Sequence, residues 1–542
     1  MDALDRCKPF NTTAYYFSPM PHADLVLING NIVTMNPGQP KAHAAAIRDG
    51  RLVAVGTNTQ VLAYADKSTQ KMDLKGKTVI PGFIDTHVHG ASLGRSLSHI
   101  SLRGAKSIEE IKEKVRQRAK ETPEGKWIRG GGWDQDRLVE HRYPTRLDLD
   151  QASPDHPVLL TRVCGHLAVV NSEALKQAGI TKGTEAPKGG CIDRDSSGLP
   201  NGVLRENALD LIFSVLPKPS DEDVANTCLL ACQVMVGEGI TTAHWIVGSA
   251  SELRALQMLR ESNMLPLRVY VLIPVECLDN LAELGLSTGF GDDRLRVGSI
   301  KILLDGSLGG RTAALKHPYN DAPNTSGMLL YSMRQLEKFV AKAHEADLQL
   351  AIHAIGDKAV ETALKALEKA VRKAPKEDNR HRLEHASVLN PKLIRMMRDI
   401  GVVASVQPHF IVSDFWMTNR LGKARTRWTY AFKSLIKAGV KVIAGSDAPV
   451  EPVSPILGVY ASVARKTNCQ EKLTIDEALK LYTVNAAYSS FEEGLKGSIE
   501  VGKLADLVVL SRDPYKTATE KLRDVKVGMT IVGGTVVYAR KQ

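Results

Sequence analysis

Cysteine is scarce and scattered in this chain of 542 residues. The seven cysteines, Cys7, Cys164, Cys191, Cys228, Cys232, Cys277 and Cys469, are odd in number and include no C-x-x-C pair. This pattern argues against a disulfide framework and leads us to expect a reducing, cytoplasmic setting. Cys228 and Cys232 lie one helical turn apart in an apolar run and read as buried thiols. No apolar run approaches the length of a membrane span, so no membrane association is expected. The first twenty residues lack a cationic start followed by an apolar core, so no signal peptide is expected either. Basic charge is not gathered in blocks: 71 Lys and Arg against 60 Asp and Glu leave a net +11 spread along the chain. In the densest cluster, Lys106 to Lys120, the basic residues interleave with Glu109, Glu110 and Glu113. That pattern reads as a solvated helix face rather than a nucleic-acid stripe.

What the chain does have is length and alternation. Its size suggests a large domain plus a smaller one, and 43% hydrophobic with 24% charged residues fits a globular protein. Residues 1–22 carry little pattern and read as an extension. From Ala23 the texture is β. Asp24–Ile28 and Ile32–Met35 flank Asn29-Gly30, which predicts a hairpin, and Ala44–Arg48 with Leu52–Gly56 around Asp49-Gly50-Arg51 predicts a second. The same texture returns at Leu507–Leu510 and in Val525–Tyr538, with a turn at Gly533-Gly534. Segments 23–80 and 497–542 therefore predict one small composite β-sandwich, with 81–496 inserted in it.

The insertion alternates strand and helix. Predicted strands are Ile84–His89, Thr241–Val247, Arg268–Ile273, Gly298–Leu304, Leu348–Ile352, Arg382–His385, Gly401–Gln407 and Val440–Gly445. Helical patterns such as Leu336–Ala346 and Lys358–Ala374 lie between them. Eight such units predict an α/β fold, a (β/α)8 TIM-like barrel, whose functional residues gather at the C-terminal strand ends. The first strand ends in His87-Val88-His89. Residues two apart share a face of a strand, so both imidazoles can aim at one metal, although two histidines in a solvated loop would look the same. His353, His385 and Asp447 follow three later strands, and Lys301 is a charge inside an apolar one. Each alone has an ordinary reading, as a core or loop histidine, a turn-opening aspartate or a snorkelling lysine. Together they fall in or just after strands of one barrel.

In that order the residues resemble the binuclear amidohydrolase superfamily, in particular the family 3 branch that includes N-substituted formamide deformylases. Further resembling segments are Gly131-Gly132-Trp133-Asp134, Gly165-His166, Gly202-Val203-Leu204-Arg205-Glu206, Asp305-Gly306-Ser307, Gly445-Ser446-Asp447-Ala448-Pro449 and Gly502-Lys503-Leu504-Ala505-Asp506. The likeness runs from about Ala23 to about Val537. It implies that His87, His89 and Asp447 hold the more buried metal and that His353 and His385 hold the second. It also implies that Lys301, carboxylated to a carbamate, bridges both. The implied cofactor is one or two divalent ions, with zinc the best match to imidazole and carboxylate ligands. The implied activity is hydrolysis of a non-peptide carbon–nitrogen bond in a small-molecule amide, with Asp447 moving the proton. Two other readings stay open, a mononuclear deaminase of a ring amidine and an inactive regulatory barrel. Homo-oligomerisation also stays open.

The segment of about 95–235 after the first barrel strand is far longer than an ordinary loop. It reads as a lid-like lobe opening with a capping box at Ser107-Ile108-Glu109-Glu110. Trp133 and His166 from this lobe, and Arg311 from the barrel, are candidate substrate contacts; equally, Trp133 could pack the lobe and His166 cap a turn. Thr474-Ile475-Asp476-Glu477 reads as a capping box opening a helix over Ala478–Ala487.

Overall fold

Eight largely buried runs pair side by side, all in parallel, in chain order. They are β1 Phe83–Val88, β2 Ile240–Ile246, β3 Arg268–Pro274, β4 Leu295–Leu303, β5 Gln349–Ala354, β6 Arg382–His385, β7 Val403–Val406 and β8 Val442–Ala444. The runs are apolar on both sides because helices cover the outside and side chains fill the inside. Helices such as Asp221–Gly237, Ala250–Glu261, Met333–Glu345, Asp357–Lys373 and Pro391–Ile400 form that cover, each burying one stripe, for example Leu336, Val340 and Ala343. The result is the expected TIM-like barrel with additional sheets. This computed structural model describes residues 22–162 and 166–541; the expectations for 1–21, Cys164 and Gly165 lie outside the described residues.

The seam between β8 and β1 is bonded at the C-terminal end. The Asp447 N–H donates to the His87 carbonyl at 2.7 Å, and the His89 N–H donates to the Ala448 carbonyl at 3.0 Å. The Asp85 carboxylate straps the same seam, accepting the N–H of His87 at 3.1 Å and of Ser446 at 2.9 Å. Gly445 permits this approach, since a Cβ there would stand 2.4 Å from the His87 nitrogen. At the opposite end the Ile84 N–H donates to the Tyr482 carbonyl at 2.8 Å.

Two sheets from both chain ends pack over a shared core that includes Leu27, Ile47, Val79, Leu507 and Ile531. The hairpins Ala44–Arg48/Arg51–Gly56 and Val527–Val532/Thr535–Ala539 form as expected, the latter turning at Gly533 and Gly534, both with positive φ. The hairpin expected around Asn29-Gly30 does not form. Leu25–Ile28 pairs with Ala44–Arg48 and Gln70–Asp73, whereas Asn31–Val33 pairs with Lys41–Ala42 and Thr78–Pro81 in the other sheet. The Asn-Gly corner passes the chain between layers. Leu25–Ile28 is buried almost throughout, which suits a central strand covered on both faces better than a hairpin arm.

The lobe is a six-stranded sheet running from Ile100–Ser101 to Pro200–Glu206, with the helix Ile108–Glu121 and its own cores. That helix buries Ile108, Ile111 and Val115 and turns its charges outward. The lobe is shorter than expected. Helices Gly90–Ser98 and Asp221–Gly237 contribute Ala91, Leu93, Cys228 and Cys232 to the barrel's core, so both belong to the barrel. At Ser107 only half the box forms: the hydroxyl accepts the Glu110 N–H, while the Glu110 carboxylate takes the Lys106 N–H. The Thr474/Glu477 box is complete, but its helix ends at Leu481 and a second runs Val484–Ser489. The break falls where the Tyr482 carbonyl is taken by β1.

Candidate metal centre

His87 is fully buried and faces the barrel interior, while His89 caps the helix Gly90–Ser98 beside the mouth. Their Nε2 atoms lie 3.4 Å and 3.3 Å from one oxygen of Asp447. The ligand atoms of these three residues all fall within 4.8 Å of one another. The His385 ring centroid is 4.8 Å from that of His87 and 4.4 Å from that of His353. The structure thus gathers the histidines from the ends of β1, β5 and β6 with the aspartate after β8. His385 and Asp447 both take positive φ, 71° and 60°, in the region that L residues rarely adopt. Such backbone strain concentrates at functional sites.

Lys301 lies within β4 and is almost wholly buried, and its Nζ has no hydrogen-bond partner among the described residues. Burial lowers its amine to about 8, against the pull of Glu384 and Asp447. Burial likewise lowers His353 to about 3, with Lys301 adding to the effect, and holds His385 well below its ordinary value. Burial would raise the Asp447 carboxyl, but the His87 and His89 imidazoles beside it hold it well below the usual range. His353 and His385 are therefore held as neutral imidazoles and Asp447 as an ionised carboxylate, the forms in which these side chains ligate.

Three of the four imidazoles are oriented from behind. His87 Nδ1 meets the Glu384 carboxylate, which is itself held by Arg382 at 2.8 Å and 3.1 Å. His385 Nδ1 meets Gln407 Oε1 at 2.7 Å. His353 Nε2 meets the Gly306 carbonyl at 3.2 Å and lies 3.4 Å from Asp305. The Asp305 carboxylate also accepts the N–H groups of Ala314, Ile355 and Gly356, and burial raises it to about 7. This pattern leaves Nε2 of His87 and His385 and Nδ1 of His353 for ligation. Glu384, Gln407 and Asp305 were not singled out from the sequence. Glu384 lies in a strand whose other members are Arg382, Leu383 and His385, so its charge did not stand out against an apolar run as that of Lys301 did.

A divalent ion fits this donor set. His87 Nε2 and Lys301 Nζ are buried polar atoms without hydrogen-bond partners among the described residues. Orphaned buried polar groups are costly, and a shared cation with a carbamate on Lys301 would satisfy both.

One candidate substrate contact is corrected. Trp133 is 0% exposed in the lobe core, with its indole N–H spent on the Leu160 carbonyl at 3.0 Å. Arg311 holds Asp321 at 3.0 Å while its side chain stays 37% exposed, and Arg420 binds the same carboxylate. His166 stands exposed on the lobe, with Nδ1 2.9 Å from Glu206.

The amidohydrolase family model matches residues 70–538. The chain belongs to the amidohydrolase family. Within it, this member is similar to YtcJ of Bacillus subtilis (strain 168), 35% identical across 94% of this chain and 98% of that one. It is also similar to the N-substituted formamide deformylase of Arthrobacter pascens, 31% identical across 95% and 98%. A crystal structure of an uncharacterized metal-dependent hydrolase from Pyrococcus furiosus superposes with a TM-score of 0.77 at 35% identity, covering 91% of this amidohydrolase and 100% of that chain. This amidohydrolase is a hydrolase by family, and His87, His89 and Asp447 form a group able to hold a metal ion. Among the described residues no helix is long and apolar enough to cross a membrane.

Proposed function

We propose that this amidohydrolase cleaves a non-peptide carbon–nitrogen bond in a small-molecule amide, releasing a carboxylate and an amine. The observation that carries the reading is the buried, unpartnered amine of Lys301 beside Asp447, Glu384 and the histidine cluster. An ammonium there would repel divalent cations, whereas its carbamate would bridge them. A neutral amine adds to carbon dioxide through its lone pair and releases one proton to solvent. His87, His89 and Asp447 would then hold one ion, His353 and His385 a second, and carboxylated Lys301 both.

Divalent ions in such a site lower the pKa of a bound water and polarise a carbonyl oxygen. The chain's own part begins with Asp447, ionised and with one oxygen near both His87 and His89. It accepts the proton that the attacking water loses. Glu384, Gln407 and Asp305 keep the imidazoles fixed while charge shifts around them. His166 belongs to the proposal as a lobe contact to substrate. The formamide chemistry named for the Arthrobacter relative supports N-substituted formamides as first substrates to try.

The test is metal analysis of purified protein alongside assay of N-formyl and N-acyl amines with added zinc. About two equivalents with amide turnover supports the proposal. One equivalent with ammonia release from a ring amidine would replace it with a deaminase, and no metal would leave a regulatory barrel. His166→Ala should raise KM or lower kcat without releasing metal; unchanged kinetics would remove His166 from the site.

A further inference from the structure

Glu384, Gln407 and Gly306 each fix one imidazole of the cluster through a ring nitrogen, and none of them holds His89. His89 is set through its backbone instead, as the N-cap of the helix Gly90–Ser98. An N-cap residue ordinarily turns its side chain back onto the first N–H groups of its helix. The His89 imidazole is aimed at Asp447, 3.3 Å away, and makes no cap bond. The first turn of the helix contains no acidic residue either. The open N–H groups at this helix start therefore need an acceptor from elsewhere in the chain.

Glu252 supplies it. This residue lies in the helix Ala250–Glu261 and is buried. Its Oε1 accepts the Ala91 N–H at 3.4 Å and the Trp245 indole N–H at 2.6 Å, and its Oε2 accepts the Gly248 N–H at 2.8 Å. One carboxylate thus joins the helix after β1, the end of β2 and the loop beyond it. A carboxylate at a helix N-terminus also meets the positive end of the helix dipole. Trp245 completes the clamp. It is wholly buried, and its indole lies against Gly90, where a Cβ would stand 2.2 Å from the ring. Gly90 and Ala91 directly follow His89, so their placement sets the direction in which the imidazole leaves the chain.

We propose that Glu252 is the positioning residue for His89. It caps, from a neighbouring helix, the N-terminus that His89 leaves uncapped by turning its imidazole to the metal centre. Trp245 holds both the carboxylate and Gly90 in register. The inference rests on the reading of His89 as a metal ligand. It accounts for the fourth imidazole, whose orientation comes through the main chain rather than through its own ring.

Titration of the metal-free protein with cobalt(II) tests it, because the visible spectrum of bound cobalt follows the geometry of its ligands. Glu252→Ala should weaken the first cobalt equivalent about tenfold and alter its visible band. Trp245→Phe keeps a ring against Gly90 and removes only the N–H, so it should shift affinity and band in the same direction by less. If Glu252→Ala does not fold, Trp245→Phe decides. Arg268, buried at the start of β3 and paired with Asp506, provides the control for stability alone. Arg268→Ala should lower stability and leave cobalt affinity and spectrum unchanged. Wild-type affinity and spectrum in the folded Glu252 and Trp245 variants, or the same changes in Arg268→Ala, would overturn the assignment. If His89→Ala binds cobalt as wild type does, His89 is not a ligand, and the metal reading fails together with this proposal.

Discussion

Glu384 shows how much of the site depends on a residue that touches no substrate. Its carboxylate lies between Arg382 and His87, all three wholly buried. Burial alone would raise it, but the Arg382 guanidinium holds it well below the ordinary carboxylate range. Glu384→Gln removes the charge that compensates Arg382, and breaking a buried pair costs about 3–5 kcal/mol. Denaturant unfolding should register that loss, and metal affinity should fall about 10- to 100-fold. Lys301 supports a pH prediction for the metal-free protein. Its amine is lowered to about 8, so the form able to add carbon dioxide dominates above that pH and is lost as pH falls through it. At fixed dissolved carbon dioxide, carboxylation should slow about tenfold from pH 9 to pH 7. Mass spectrometry or the rate of reactivation by metal would measure it, and a flat profile would show that Lys301 titrates elsewhere. On the two-metal reading proposed above, Lys301→Ala should reduce bound metal from two equivalents to about one or fewer.

At the scale of elements, the β8–β1 seam is where packing and chemistry meet. Gly445→Ala would drive a methyl against the His87 backbone nitrogen and the Asp85 carboxylate. Overpacking of that kind costs about 1–3 kcal/mol. The strain falls between His87 and Asp447, so metal occupancy should drop more than thermal stability suggests; thermal melts with metal analysis would separate the two. This seam also marks a limit of sequence reading. The eight strands were legible because both-face burial forces continuous apolar runs, and His353, His385 and Asp447 stood out at their ends. Closure was not legible, since nothing in the letters of Gly445 or Asp85 reveals which backbone each approaches. The Asn29-Gly30 corner misled for a related reason: its turn chemistry is local, but the partners of its flanking strands are chosen by distant sequence. The lobe boundary was misplaced because the apolar stripe of Asp221–Gly237 does not say which core it covers. Trp133 was misread because its partner, the Leu160 carbonyl, is a tertiary fact.

The whole molecule is joined by buried polar contacts between barrel and sandwich. Arg268, at the start of β3, holds Asp506 at 2.7 Å and 3.0 Å, and the Thr530 hydroxyl donates to the Val236 carbonyl at 2.6 Å. Arg268→Ala removes the two hydrogen bonds that the guanidinium gives the buried Asp506 carboxylate and should cost about 3–5 kcal/mol. This pair lies at the barrel end opposite the metal centre, so turnover per folded molecule should be unchanged; a large loss of kcat would show coupling between the two ends. Calorimetry should show sandwich and barrel melting together, because these buried contacts join them.

The strand Thr78–Pro81 runs directly into β1, and its antiparallel neighbour is Leu507–Leu510. On the ribosome, that neighbour emerges only after almost the entire barrel has been translated, a delay on the order of half a minute. Until then the edge beside β1 lies open to solvent and to other nascent chains. Release of this protein from a chaperone should therefore wait on the last few dozen residues, and chains stalled before Leu507 should remain bound however complete their barrel.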